Sequence, residues 1–168
     1  MCISGRQRTI PLVQSARRRL YRGKRPGSVA RFLNTVQAHL AARGIGPARV
    51  VTLDIRGHKT GRMISLPVVV ADYEGERYLV SMFGEGSAWV RNVRAAGGSA
   101  VLRHRTREAV HLEEVPVQQR PPILKRYLEV TPGARPHIPI AQTAPLSEFE
   151  RIAGGYPVFQ ILAQTASS

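Results

Sequence analysis

The chain is short of cysteine, aromatics, early acidic residues and long apolar runs, and each shortage excludes something. Cys2 is the single cysteine among 168 residues, so no intrachain disulfide forms and the chain reads as one for a reducing, cytosolic compartment. The longest apolar run, LPVVVA at 66–71, is far too brief to span a bilayer, and IPLV at 10–13 is too brief for a secretory h-region. Aromatic residues make up 6%, so the pattern of aromatics interleaved with basic residues that stacks nucleic-acid bases is missing, and no specific nucleic acid is expected as a partner. No acidic residue precedes Asp54. The standard catalytic and phosphate-binding patterns are missing too: there is no G-x-S-x-G elbow, no Walker A and no G-x-G-x-x-G after a strand. His39, His58, His104, His111 and His137 are scattered without a carboxylate or thiol at metal-ligand spacing, so no metal is expected. His104 and His111 are placed to face each other across a hairpin.

Positive charge is abundant. Twenty-five basic against 11 acidic residues give a net charge of +14. Lys24, Lys59 and Lys125 are the only lysines, so the surplus is arginine and part of it reflects an arginine-rich composition. Arg6, Arg8, Arg17, Arg18, Arg19, Arg22, Lys24 and Arg25 crowd residues 1–27, read as a basic arm. Leu12, Val13, Ala16 and Leu20 fall on one face of a helix there, which suits either peripheral contact with an anionic membrane or a solvated arm.

Residues 28–168 read as one domain of ordinary size. Ser28 caps a helix whose stripe is Val29, Phe32, Leu33, Val36 and Leu40. The period then changes to that of strands. ARVVTLDIR, RMISLPVVVADY and ERYLVSM form a meander, with turns at GHKTG (57–61) and Glu74-Gly75, and with Pro67 marking an edge or bulge. FGEGS is a glycine loop, AWVRNVRAA a short helix ended by Gly97-Gly98, and SAVLRH with EAVHLEEV a second hairpin. PPILKRYLEV and LSEFERIAG are helical, the second with Ser147 as its cap, and YPVFQILAQ is a final strand. Mostly antiparallel strands with outlying helices predict an α+β, mainly β fold with flanking helices, a small closed or split β-barrel.

The turn GHKTG carries the chemistry. Gly57 and Gly61 let the backbone approach a ligand, Lys59 brings a compact charge and Thr60 a hydroxyl, a set suited to phosphate or carboxylate. Taken alone it also describes a basic hairpin turn. The order in which features follow it adds a resemblance. Gly57, Lys59, Thr60 and Gly61, then Pro67, a hairpin at Glu74-Gly75, Ser81 closing the third strand, the loop Met82, Phe83, Gly84, and Trp89 with Asn92 as W-x-x-N resemble the deazaflavin-dependent nitroreductase family over residues 28–115. That resemblance implies a split β-barrel of the FMN-binding type. It also implies coenzyme F420 as cofactor and hydride transfer to a hydrophobic acceptor of the quinone or nitro class. An open barrel leaves exposed strands and an apolar face, for which a homodimer is the expected assembly. The resemblance implies that the turn and Arg62 hold the anionic end of the cofactor, while Trp89 walls the ring and Asn92 hydrogen-bonds. His58 stands where the family has arginine, which makes one contact pH-dependent. Ile64 stands where its second arginine falls, with Arg62 two residues earlier, on the same face if the strand already runs there. These departures leave FMN, or a non-enzymatic anionic ligand, as alternatives. No catalytic residue is assigned: Tyr21, Tyr127 and Tyr156 are the candidate proton donors, and the sequence selects none of them.

Overall fold

The computed structural model describes residues 49–164. The basic arm and the helix expected after Ser28 lie outside these residues. Strand β1 (Val50–Arg56) alternates Leu53 and Ile55, wholly buried, with Thr52 and Asp54 on the opposite face. It pairs antiparallel with β2 (Met63–Tyr73), from Val50 opposite Val69 to Arg56 opposite Met63. β2 turns at Glu74 and Gly75, both at positive φ (50° and 83°), into β3 (Glu76–Val80). Two successive left-handed residues give a hairpin whose twist matches its strands.

Three further strands close the sheet. β4 (Ser99–Arg103) pairs with β1, β5 (Arg107–Glu114) with β4, and β6 (Val158–Ala163) fits between β5 and β3. The result is a closed antiparallel barrel in the order β1-β2-β3-β6-β5-β4. With helices α1 (Ala88–Ala95), α2 (Arg120–Val130) and α3 (Leu146–Ile152) outside it, the chain has the expected class, mainly β with flanking helices in a split β-barrel.

Two cores hold this arrangement. Leu53, Ile55, Val68, Leu79, Leu102, Val110, Leu112, Phe159 and Ile161 fill the barrel, and Val90 and Val93 of α1 close one end. Outside, Val69, Ala71, Tyr78, Val80 and Val158 pack under α2 and α3 through Leu124, Tyr127, Leu128 and Phe149. Each buried side chain of this size contributes about 1.5–3 kcal/mol. β2, β3 and β6 are therefore apolar on both faces along part of their length, which is why VVVA does not alternate.

The barrel is split along one seam. β3 joins β2 only from Val70 onward, opposite Leu79, whereas residues 63–69 of β2 have β1 alone as partner. Pro67 lies in that one-sided stretch, where a missing N–H breaks no second ladder.

Three local expectations are corrected. Pro145, not Ser147, precedes the first turn of α3, and Ser147 lies within the helix. His111 pairs with Ser99 while His104 sits in the tight turn before Arg107, so the two histidines do not face each other. Arg62 belongs to the turn rather than to β2, because Gly57 N–H donates to its carbonyl and closes the loop there.

Gly98 has φ +81°, and a Cβ there would lie 2.6 Å from the Leu112 carbonyl and 2.7 Å from the His111 ring, whereas at neighbouring Gly97 (φ +60°) it would meet nothing. Gly98→Ala is expected to cost about 2–4 kcal/mol in urea unfolding, from backbone strain plus overpacking. Gly97→Ala should cost only about 1 kcal/mol. Equal losses would refute the clash.

Candidate functional site

The ends of β1 and β3, the start of β2, and α1 meet at one end of the barrel, and the candidate residues gather there. In the turn, Gly57 N–H donates to the Arg62 carbonyl (2.8 Å) and Gly61 N–H to the Gly57 carbonyl (2.8 Å). A Cβ at Gly57 would lie 2.9 Å from Ile64 Cδ1 and 3.3 Å from the Arg62 carbonyl, so the loop packs closely around this glycine. Gly61 has φ +65° with open space around it. Thr60 Oγ1 accepts from the Arg62 N–H (3.4 Å), and the Arg56 guanidinium donates to the Gly61 carbonyl (3.4 Å). His58, Lys59, Thr60 and Arg62 are all exposed. Carboxylates elsewhere among the described residues are largely engaged by arginine: Asp54 by Arg103, Asp72 by Arg49 and Arg126, Glu108 by Arg77. No ion pair involves Lys59, Arg62 or Arg56 among the described residues, so the turn holds uncompensated positive charge.

Helix α1 fastens this turn. Asn92, 3% exposed, accepts at Oδ1 from the His58 backbone N–H (3.1 Å), and the same oxygen lies 2.6 Å from His58 Nδ1. The sequence reading assigned Asn92 to a ligand, whereas its oxygen is engaged within the protein. Its Nδ2 donors have no hydrogen-bond partner among the described residues. Trp89, one turn earlier on the helix, leans on Phe159 with ring centroids 5.4 Å apart.

The loop after β3 forms the other wall. Ser81, 1% exposed, donates its hydroxyl to the Gly84 carbonyl (2.8 Å) and shares a 2.7 Å hydrogen bond with the Ser87 hydroxyl. Its side chain therefore shapes the loop. Gly84 has φ +79°, with the Gly155 carbonyl 3.0 Å from where a Cβ would sit. Glu85 is held by the Arg94 fork, which also grips Glu114. That hydrogen bonding holds the Glu85 carboxyl below its ordinary range, against a smaller opposing effect of burial.

Between loop and strand, at the split, lies a narrow apolar cleft of about 70 Å³. Pro67 and Val69 form one side, Met82 and Phe83 the other, with Trp89 and Tyr127 completing it. Burial pushes the Tyr127 phenol well above its usual range, so it stays protonated. Phe83 meets the His137 ring edge-on at 4.7 Å. Tyr156 is directed elsewhere, donating to the His137 carbonyl (3.1 Å). The candidates thus fall into two neighbouring groups: a cationic turn (Gly57, His58, Lys59, Thr60, Gly61, Arg62) and an apolar cleft (Pro67, Met82, Phe83, Trp89). Asn92 and Trp89 of α1 join them. Sequence reasoning missed Val69 and His137, which come close only through the tertiary packing. The arginine fork on Glu85 was equally hidden, because its partners are 9 and 20 residues from Arg94. No cluster of potential metal ligands occurs among the described residues, and none of their helices is long and apolar enough to cross a membrane.

Against known proteins, no family model and no curated sequence matches the chain. Solved structures do. A protein of unknown function from Agrobacterium tumefaciens aligns with a TM-score of 0.50 at 9% identity, over 70% of this chain and 49% of that one. An F420-H2-dependent reductase aligns at 0.46 and 18% identity, over 67% and 93%. A FAD-binding protein from Mesorhizobium loti aligns at 0.43 and 16%, over 70% and 82%. The likeness is one of fold.

Two outcomes follow from the loop's own contacts. Ser81→Ala removes the donor to Gly84 and is expected to cost about 1 kcal/mol in urea unfolding, with faster amide exchange at Gly84; unchanged exchange there would show that the hydroxyl does not hold the loop. Glu85, whose folded pKa is lowered, contributes stability that is present above the unfolded glutamate pKa and lost as pH falls through the lower folded one. Acid unfolding curves of Glu85→Gln should therefore show a shallower loss of stability below about pH 4.3 than the unsubstituted protein. Superimposable curves would contradict the assignment.

Proposed function

We propose that the protein is an oxidoreductase that uses reduced coenzyme F420 to deliver a hydride to a hydrophobic acceptor of the quinone or nitro class. One observation carries the reading: the uncompensated cationic turn and the apolar cleft lie side by side at one end of the barrel, joined by the Trp89 and Asn92 face of α1. The pairing suits a ligand with an anionic end and a flat apolar body.

The residues fit such a group. Lys59, Arg62 and the Gly57 to Gly61 backbone would hold the phosphodiester and acidic tail, and the turn is open to solvent at Gly61, where an added Cβ meets nothing. Trp89 would border the ring, and the Asn92 Nδ2 donors would be available to it. Pro67, Met82 and Phe83 would keep water from the reacting face. Tyr127 lies buried on the cleft wall, where burial keeps its phenol protonated. When bound, reduced F420 supplies a hydride and is left oxidised, while the acceptor takes that hydride and a proton. The protein contributes orientation, exclusion of water and electrostatics. A cytoplasmic homodimer, with the N-terminal arm near an anionic membrane that holds the acceptor, belongs to the same reading. FMN is the second reading, favoured by Ile64, an exposed aliphatic side chain where the family's second arginine would stand.

Trp89 is the single tryptophan, so its fluorescence reports on the site. Titration with oxidised F420 should give saturable quenching, and FMN a weaker response. Lys59→Ala should lose about 1.5–3 kcal/mol of binding, roughly 10- to 150-fold in Kd, as expected of a charge-assisted contact. Saturable binding of FMN but not F420 would transfer the assignment to FMN, and binding of neither would end the redox-cofactor reading.

A further inference from the structure

Asn92 does more than tie the turn down: it dictates which protons His58 carries. A backbone N–H can only donate, so the Asn92 side-chain atom that takes the His58 N–H at 3.1 Å is oxygen, not nitrogen. That same oxygen is 2.6 Å from His58 Nδ1. Two acceptors do not bond each other, so Nδ1 carries a hydrogen in every protonation state compatible with this contact. Nε2, at the far side of an exposed ring, is then the only titrating position. In the neutral ring it presents a lone pair, which repels an anion. In the cation it presents an N–H, which donates to one.

We propose that His58, positioned by Asn92, is a specificity-determining residue of the turn that makes it hold a fully ionised, phosphate-like oxyanion more tightly as Nε2 gains its proton. The inference rests on the reading of this turn as the anion-holding end of the site. The surrounding charges suit a ring whose ionisation is coupled to an anion. On the turn and its flanks Arg56, Lys59 and Arg62 are cationic. On α1 Arg91 is exposed without a carboxylate partner among the described residues, while Arg94 is occupied by Glu85 and Glu114. Met63, Ile64 and Ser65 at the start of β2 do not titrate, and Asp54 of β1 is bound to Arg103. No carboxylate therefore stands beside the imidazole to hold its charge. An arriving anion would do so, and by reciprocity the charged ring would hold the anion more tightly. A permanent arginine at this position would bind across the whole range.

The test separates this inference from the reading beneath it. Nitrogen-15 spectra that correlate the imidazole nitrogens with the ring protons distinguish Nδ1–H from Nε2–H. Sulfate, a dianion across the range used, serves as the probe and is followed at the Gly57 and Gly61 amides. Neutral His58 is expected as Nδ1–H. Between about pH 8 and about pH 5.5, where imidazole ionises, sulfate affinity should rise ~10-fold. His58→Gln should abolish that rise, and Asn92→Ala should release the ring from its Nδ1–H form. If Asn92→Ala does not fold, the unsubstituted tautomer and the His58→Gln series decide. An Nε2–H ring, or a pH dependence that survives in His58→Gln, overturns the proposal. Binding that is flat with pH overturns it and leaves the anion turn standing. The absence of sulfate binding at any pH removes both.

Discussion

A strand edge left open is a liability, and the last strand removes it here. β6 fits between β3 and β5 and converts a curved sheet into a barrel with no free edge except along the split. The candidate site depends on that closure. Phe159 of β6 fills the barrel centre and meets Trp89, so the strand that seals the sheet also seats the helix at its end. The helix in turn carries Asn92 to the turn after β1. Closure, helix placement and turn placement are one chain of contacts running from residue 159 to residue 58.

The uneven charge becomes intelligible at the same level. Acidic side chains are few, and several are gripped by arginines that bridge separate elements: Arg103 to Asp54, Arg77 to Glu108, Arg94 to both Glu85 and Glu114. Arg120 is 5% exposed, and its guanidinium reaches the Val115, Ala153 and Tyr156 carbonyls as well as Glu114. These arginines act as cross-links. They leave the turn's cations without carboxylate partners, so positive potential collects where the chain forms its tightest glycine-bounded loop. The net charge counts both kinds alike, whereas only the unpaired ones remain open to a ligand.

Strands and turns were legible because they rest on local rules. The period of two in VVTLDIR, the paired left-handed residues at Glu74 and Gly75, and the glycine stop after α1 each need only neighbours in sequence. The expected cap at Ser147 failed because a serine marks a helix start only when its own backbone is non-helical, and Pro145 takes that role. The supposed meeting of His104 and His111 failed because register depends on turn length, and the turn before Arg107 is tight. Ser81 and Asn92 were found by position in a pattern, but a pattern does not show that the serine hydroxyl is engaged by Gly84 or that the asparagine oxygen faces His58.

The order of residues along the chain therefore settled the kind of fold and the chemical character of its parts: alternating apolar strands, a basic glycine turn, a tryptophan-bearing helix. Those properties follow from side-chain periodicity and backbone preference, which act over a few residues. The fold alone decided which parts touch. The cleft shared by Met82 and Tyr127 and the His58 to Asn92 contact join residues 45 and 34 positions apart. Such contacts arise only when β6 closes the barrel and two cores pack, because burial of apolar surface is blind to sequence separation.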